Sequence, residues 1–166
     1  MKNTNSIFIL IILIVIPFSG SDANTNELAK KIIKIVYTES PQTKWDADSI
    51  VSADINCDNK NDYAIIGVEK NKVKLILILG VIQNSSKTIT LEFGLGDLMS
   101  QSSLCGCKAK LKLESQDNDL YDALGENPVG YKKSDICKGL NIYDDMCDSF
   151  HIFWNHKTNT LNWWRL

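Results

Sequence analysis

The segment Asp54-Ile55-Asn56-Cys57-Asp58-Asn59-Lys60-Asn61-Asp62 sets four oxygen-bearing side chains at positions 1, 3, 5 and 9 of a short loop. A hard divalent cation such as calcium takes about six to eight oxygens at short range, and carboxylates and carboxamides supply them well. Asp54, Asn56, Asp58 and Asp62 would each give a side-chain oxygen, and Lys60, at position 7, its main-chain carbonyl. Asn59 stands where such loops usually carry glycine, and asparagine is the non-glycine residue that best tolerates positive φ. Cys57 is expected to face away from the ion. Three carboxylates so close together repel one another, which favours a cation over a metal-free Asx-rich turn, although solvent and Lys60 screen part of that cost. A bound calcium would stiffen the turn and stabilise the fold by linkage, because only the folded loop gathers the ligands.

The loop is not an EF-hand: Ile65 occupies position 12, where a bidentate Glu is required, and the residues from Tyr63 onward read as a strand rather than an exiting helix. The segment Asp54 to Ala64 resembles the calcium loop of FG-GAP and related bacterial VCBS-type repeats, with Asp54, Asn56, Asp58 and Asp62 on the pattern Asp-x-Asn/Asp-x-Asp-Gly-x-x-Asp followed by an apolar strand. One copy is present, so the resemblance implies a local calcium loop and not the propeller those repeats build. The tail Cys147-Asp148-Ser149-Phe150-His151, with Phe153-Trp154-Asn155-His156 and Trp163-Trp164-Arg165, resembles a pattern of exported bacterial proteins and implies no activity.

Other chemistry is thinly represented. His151 and His156 are the only histidines, and they converge only if a turn lies between them. Asp148 would be the carboxylate to orient one of them, yet no nucleophile elbow, Ser-x-x-Lys box or His-Glu-x-x-His segment accompanies them, and satisfied structural histidines are expected. The adjacent Trp163 and Trp164 must face opposite sides of a strand; a core role outweighs an exposed indole beside Arg165 that would stack on a sugar or anchor a partner.

The five cysteines, Cys57, Cys105, Cys107, Cys137 and Cys147, suit two bridges and one spare thiol in an oxidising compartment. Connectivity does not follow from sequence, but Cys137 and Cys147 close a short loop and are the expected pair. Cys105 and Cys107 are too close for an easy mutual bridge, so one of them is expected to pair elsewhere. A zinc site built with His151 or His156 competes, but the paired Cys-x-x-Cys knuckles of structural zinc modules are missing.

The elements that must hold these groups follow from periodicity. Leu28, Ile32, Ile35 and Val36 recur at helical spacing between Thr25 and Tyr37, with Asn24 or Thr25 as cap and Lys30, Lys31 and Lys34 outward. Ile50 to Ala53 is a short strand leading into the loop. Tyr63–Val68 and Val73–Ile82 are central strands joined by the polar connector Glu69-Lys70-Asn71-Lys72. Further strands are expected at Thr88–Phe93 and Lys108–Glu114, the latter with Ala109, Leu111 and Leu113 inward. Asp117 to Lys133 is loop-like, punctuated by Gly125, Pro128 and Gly130. A hairpin should close the chain, from Ser149–Trp154 to Leu161–Leu166. The order is α+β: an N-terminal amphipathic helix packed on a mostly antiparallel, disulfide-stabilised sheet.

Ile7 to Ile16 is an unbroken apolar run, preceded by Lys2 and followed by Pro17, Gly20 and Ser21-Asp22-Ala23. This is expected to be a secretory signal peptide, residues 1–23, because the run is about half the length of a membrane-spanning helix and Pro17 ends it, so a stable membrane anchor is not expected. Residues 24–166 then form one α+β domain containing the loop 54–62. The net charge of −2 and pI near 5.7 disfavour nucleic acid as a partner. The expected role is a periplasmic or secreted, non-enzymatic calcium-loop protein that binds a protein or cell-envelope ligand, in its specific form an inhibitor or immunity-type protein. The rival is a metal-dependent hydrolase of the cell envelope whose turnover would require His151 and Asp58.

Overall fold

The computed structural model describes residues 21–117, 120 and 124–166. The expected signal peptide therefore lies almost wholly outside the described residues. Among those described are α1 (Ser21–Glu39), a 3-10 turn (Ala47–Ser49) and ten strands: β1 (Lys44–Trp45), β2 (Val51–Ala53), β3 (Asp62–Glu69), β4 (Lys72–Ile78), β5 (Thr88–Leu95), β6 (Ser103–Leu104), β7 (Lys110–Gln116), β8 (Ser134–Tyr143), β9 (Phe150–Asn155) and β10 (Thr160–Trp164). The chain is α+β and largely antiparallel, as its patterning predicts. The helix extends beyond the expected Thr25–Tyr37 at both ends.

Two sheets stack face to face. The first runs β1-β3-β4-β5-β6, with β2 also pairing β3, and is antiparallel except at β5–β6; the second runs β10-β9-β8-β7 and is antiparallel throughout. Ala64, Ile66, Val73, Leu75, Leu77, Phe93 and Leu104 of the first sheet meet Leu140, Ile142, Phe150, Ile152, Trp154 and Leu161 of the second. Burying each large apolar side chain contributes about 1.5–3 kcal/mol. Phe93, Phe150 and Trp163 stack at the centre, with ring centroids 4.2 to 5.9 Å apart.

The opposite face of the first sheet carries Ile65, Ile76, Ile78 and Trp45, which enclose Ile32 and Val36 of α1. Strands β3 and β4 are thus covered on both faces, which is why their sequences are near-continuous apolar runs rather than alternations. Where the helix leaves the sheet uncovered, Lys74 bridges Glu69 (2.7 Å) and Glu92 (3.5 Å). The second sheet has a polar outer face bearing Lys110, Lys112, Glu114, Asn141 and His151, so β7 alternates as expected.

Three expectations change. Strand β4 stops at Ile78 rather than Ile82, because Gly80 adopts φ +66° and turns the chain. The longest strand, β8, was not expected: its Ile136 is exposed and Gly139 interrupts its pattern. The disulfides are Cys57–Cys137 and Cys105–Cys147, with Cys107 free, so the expected Cys137–Cys147 pair is corrected. From Cys137 to Tyr143 the chain is extended over about 20 Å, which carries Cys147, beyond the end of β8, away from Cys137.

Candidate functional site

The Asp-rich loop joins β2 to β3 at one end of the sandwich. Its residues coil around their own side chains. Asp54 accepts the N–H of Asp58 (3.2 Å, Oδ1) and of Asn59 (2.8 Å, Oδ2); Asn56 Oδ1 accepts the N–H of Asp58 (3.0 Å); Asp58 Oδ1 accepts that of Lys60 (2.9 Å). Two left-handed residues permit the coil, Asn59 (φ +63°), where the sequence anticipates one, and Cys57 (φ +63°), where it does not. Cys57 does point out of the loop's interior, into its bridge with Cys137. The Lys138 N–H, one residue on, donates to the Asp54 carbonyl at 2.9 Å.

Asp62 lies at the base, fully buried. Its Oδ2 accepts the N–H groups of Ile55 (3.0 Å) and Asn56 (3.2 Å), and its Oδ1 that of Gly80 (2.9 Å). Burial nevertheless pushes its carboxyl above the ordinary value near 3.8, because the lost solvation outweighs those N–H bonds, and the charge of Asp58 adds to the rise. Ile55, beside it, is anchored in the core.

The donor chemistry fits a hard cation in one respect. Each carboxylate or carboxamide oxygen has two lone pairs, and the N–H bonds named above leave acceptor capacity on Asp54, Asn56, Asp58 and, through Oδ1, Asp62. Among the described residues, no three His, Cys, Asp or Glu side chains already stand close enough together to hold a metal ion. The oxygens are committed to loop N–H groups, and coordination would require them to share.

The histidines are not brought together. His151, on the outer face of β9, has Nδ1 2.8 Å from Glu114 Oε2, and its ring stacks on Trp164 with centroids 4.0 Å apart and planes 9° apart. The carboxylate beside His151 is thus Glu114, not Asp148. Asn141 completes the cluster, its Nδ2 3.3 Å from Glu114 Oε2, while its Oδ1 is buried without a partner. His156 sits in the β9–β10 turn, where burial and the neighbouring Lys132 hold its ring below the usual imidazole range. Trp163 enters the core and Trp164 the outer face, as strand alternation requires. Arg165 sits over the Phe150 ring at 4.9 Å instead of beside an exposed indole.

A groove of about 650 Å³ adjoins the loop, lined by Leu28 and Lys31 of α1, by Lys60 and Tyr63, and by Val81 and Ile82. Gly80, whose N–H Asp62 holds, forms part of its wall. Sequence reasoning missed Gly80, Lys138 and Glu114 as partners, since each meets its site only through sheet pairing or loop docking. Comparison of the chain with protein-family models, with curated proteins and with solved structures finds no match.

Proposed function

We propose that this is an exported, non-enzymatic binding module whose loop 54–62 takes one calcium ion, after removal of a signal peptide covering residues 1–23. Asp54, Asn56, Asp58 and Asp62 would hold the ion through side-chain oxygens and Lys60 through its carbonyl, in the manner of a single FG-GAP or VCBS-type loop. The observation that carries this reading is the coil itself: alternate side chains of the loop turn inward onto its own N–H groups, a winding that a cation could use by sharing those oxygens. The ion would supply positive charge to a turn that otherwise carries three carboxylates.

Calcium then acts on binding through shape. Lys60 and Asn61 of the loop, and Gly80 fixed by Asp62, line the groove beside α1, so stiffening the loop fixes one wall of it. An apolar floor flanked by Lys31 and Lys60, with Glu27 an opposing charge in the lining, suits a protein surface or envelope ligand of modest negative charge, and an inhibitor or immunity role belongs to this class. The two disulfides and the apolar run Ile7–Ile16 support export to the periplasm or beyond. The hydrolase reading has less support. Asn141, level with His151, lies four residues along β8 from Cys137, where the loop is docked, about 13 Å away.

Thermal unfolding in calcium and in chelator tests the reading. At about a hundredfold excess over the dissociation constant, calcium should add about 2.7 kcal/mol of stability. Coincident midpoints would remove the ion from the account, and a calcium shift that survives Asp58→Asn intact would show the ligands to be misassigned.

A further inference from the structure

At the end of the sandwich opposite the Asp-rich loop, a disulfide and a free cysteine stand two residues apart in the chain. Cys105 and Cys147 are bridged, and Cys107, exposed and free, follows Cys105 with only Gly106 between them. The two sulfurs of the bridge are not equivalent. Arg165 Nη2 lies 2.9 Å from Cys147 Sγ, and the Cys105 N–H donates to the same sulfur at 3.1 Å. Arg165 is itself fixed by Nη1 bonds to the Ser103 carbonyl (2.7 Å) and the Gln101 carbonyl (3.4 Å) and by its seat over Phe150. A positive charge and an N–H aimed at one sulfur of a disulfide make it the better leaving thiolate, and attack then falls on the other sulfur.

We propose that Cys105, Cys107 and Cys147 form a thiol–disulfide exchange site whose substrates are other disulfides. The Cys107 thiolate attacks Cys105 Sγ. The Cys105–Cys147 bond breaks as the Cys105–Cys107 bond forms, the electron pair leaves on Cys147 Sγ, and the proton lost by Cys107 passes to solvent. No external oxidant or reductant is consumed. Their closeness counts against an easy bridge where side chains alternate along a strand. Here, though, the chain bends at Cys105, Gly106 and Cys107 instead of running extended, and one intervening residue keeps the two Cα atoms within about 7 Å, near the range a bridge needs. The thiolate left at Cys147 is paired with Arg165 and is the group that attacks an incoming disulfide, leaving Cys147 in a mixed disulfide and expelling the partner's other sulfur as thiolate.

The surrounding charges bear on the pH at which this occurs. Lys108 adjoins Cys107, and Lys44 and Asp46 line the same groove as it. The Asp144 carboxylate, 3.9 Å from Cys147 Sγ, opposes a thiolate there, and Arg165 offsets it. Asp144 is held in place by the N–H groups of Gly106, Met146 and Cys147. A Cβ at position 106 would lie 3.2 Å from Asp144 Oδ2 and from Met146 Sδ, so glycine suits the approach of the two turns.

Alkylation mapping decides the question without altering the chain. The oxidised protein is held at mildly alkaline pH, quenched with excess N-ethylmaleimide, and digested with trypsin without reduction. Cys105 and Cys107 share the peptide Thr88–Lys108, and Cys147 lies in Gly139–Lys157. Exchange is expected to move label from Cys107 to Cys147 with time, leaving an internal Cys105–Cys107 bridge in the first peptide. Label confined to Cys107 at every time point would overturn the proposal, as would Cys147 labelling that persists in Cys107→Ser. Arg165→Gln should slow the transfer about tenfold, and an unchanged rate would remove Arg165 from the mechanism and with it the basis for choosing Cys147 as leaving group. Incubation with oxidised glutathione should add one glutathione to Cys147; modification of Cys107 instead would contradict the assignment.

Discussion

At one end of the sandwich the Asp62 carboxylate accepts the N–H groups of Ile55, Asn56 and Gly80, and at the other the Asp144 carboxylate accepts those of Gly106, Met146 and Cys147. A disulfide ties down each turn, Cys57–Cys137 beside Asp62 and Cys105–Cys147 beside Asp144. The electrostatic outcomes are opposite. Burial raises the Asp62 carboxyl above its ordinary value in spite of the N–H bonds. Burial also acts to raise Asp144, but its backbone N–H bonds overcome it and hold the group below the ordinary value. Two differences decide: the Cys105 N–H adds a fourth backbone donor at Asp144, and Asp62 is fully enclosed and faces Asp58, whereas Asp144 keeps 9% of its surface in water. A cation would relieve a cost at the first turn that the second does not carry.

The largest test of this contrast removes the bridges. Their loops span 80 and 42 residues, and chain entropy assigns the paired Cys→Ser variants losses of about 4.5 kcal/mol for Cys57–Cys137 and about 4 kcal/mol for Cys105–Cys147. Urea titration of the two double variants measures both. A larger loss at the second bridge would mean that native-state anchoring, not loop length, sets the order.

The carboxylates come next. Asp62→Ala leaves three N–H groups without their acceptor, that of Ile55 buried and those of Asn56 and Gly80 part-buried, and should cost about 3 kcal/mol, while Asp144→Ala, one of whose donors belongs to the exposed Met146, should cost about 2 kcal/mol. Equal losses by chemical denaturation would erase the distinction between the two ends.

Acid titration of stability separates them by sign. Asp62, with its folded value raised, contributes stability that is fully present below pH 3.8 and is lost as pH rises through the folded value. Asp144, with its folded value lowered, contributes stability present above pH 3.8 and lost as pH falls through the folded value. Asp62→Asn should therefore flatten the decline on the alkaline side of 3.8, and Asp144→Asn the decline on the acid side. Denaturation midpoints collected across this range would show the opposite pairing if the assignments were reversed.

The smallest effect belongs to the outer face of the second sheet. His151 and Glu114 retain 27% and 22% side-chain exposure, and a pair so placed is worth less than about 1 kcal/mol. His151→Gln should leave the urea midpoint nearly unchanged; a loss comparable to that of Asp144→Ala would give the outer-face cluster a structural weight equal to that of a sandwich end.

Local pattern made much of this molecule readable. Leu28, Ile32 and Val36 declare a helix by their spacing, and the alternation through Leu111 and Leu113 declares a one-sided strand. The positive φ at Asn59 follows from residue type and loop position. Strand β8 was hidden because its core contacts reduce to Leu140 and Ile142 beyond an exposed Ile136 and a glycine that the neighbouring Gln116 and Ile152 crowd. The true cysteine pairs were hidden because each joins segments far apart in the chain, and proximity in sequence pointed instead to Cys137 and Cys147.

By itself the sequence determined the acidic loop, the helix, the paired apolar strands and the count of two bridges with one thiol to spare, because these depend on residue type and short-range spacing. Only the tertiary structure decided that Asp62 reaches Gly80, that Glu114 and not Asp148 meets His151, and that Arg165 faces Cys147. Those contacts are set by the register of strands and the docking of turns, where the free energy belongs to burial and pairing between segments that no local pattern connects.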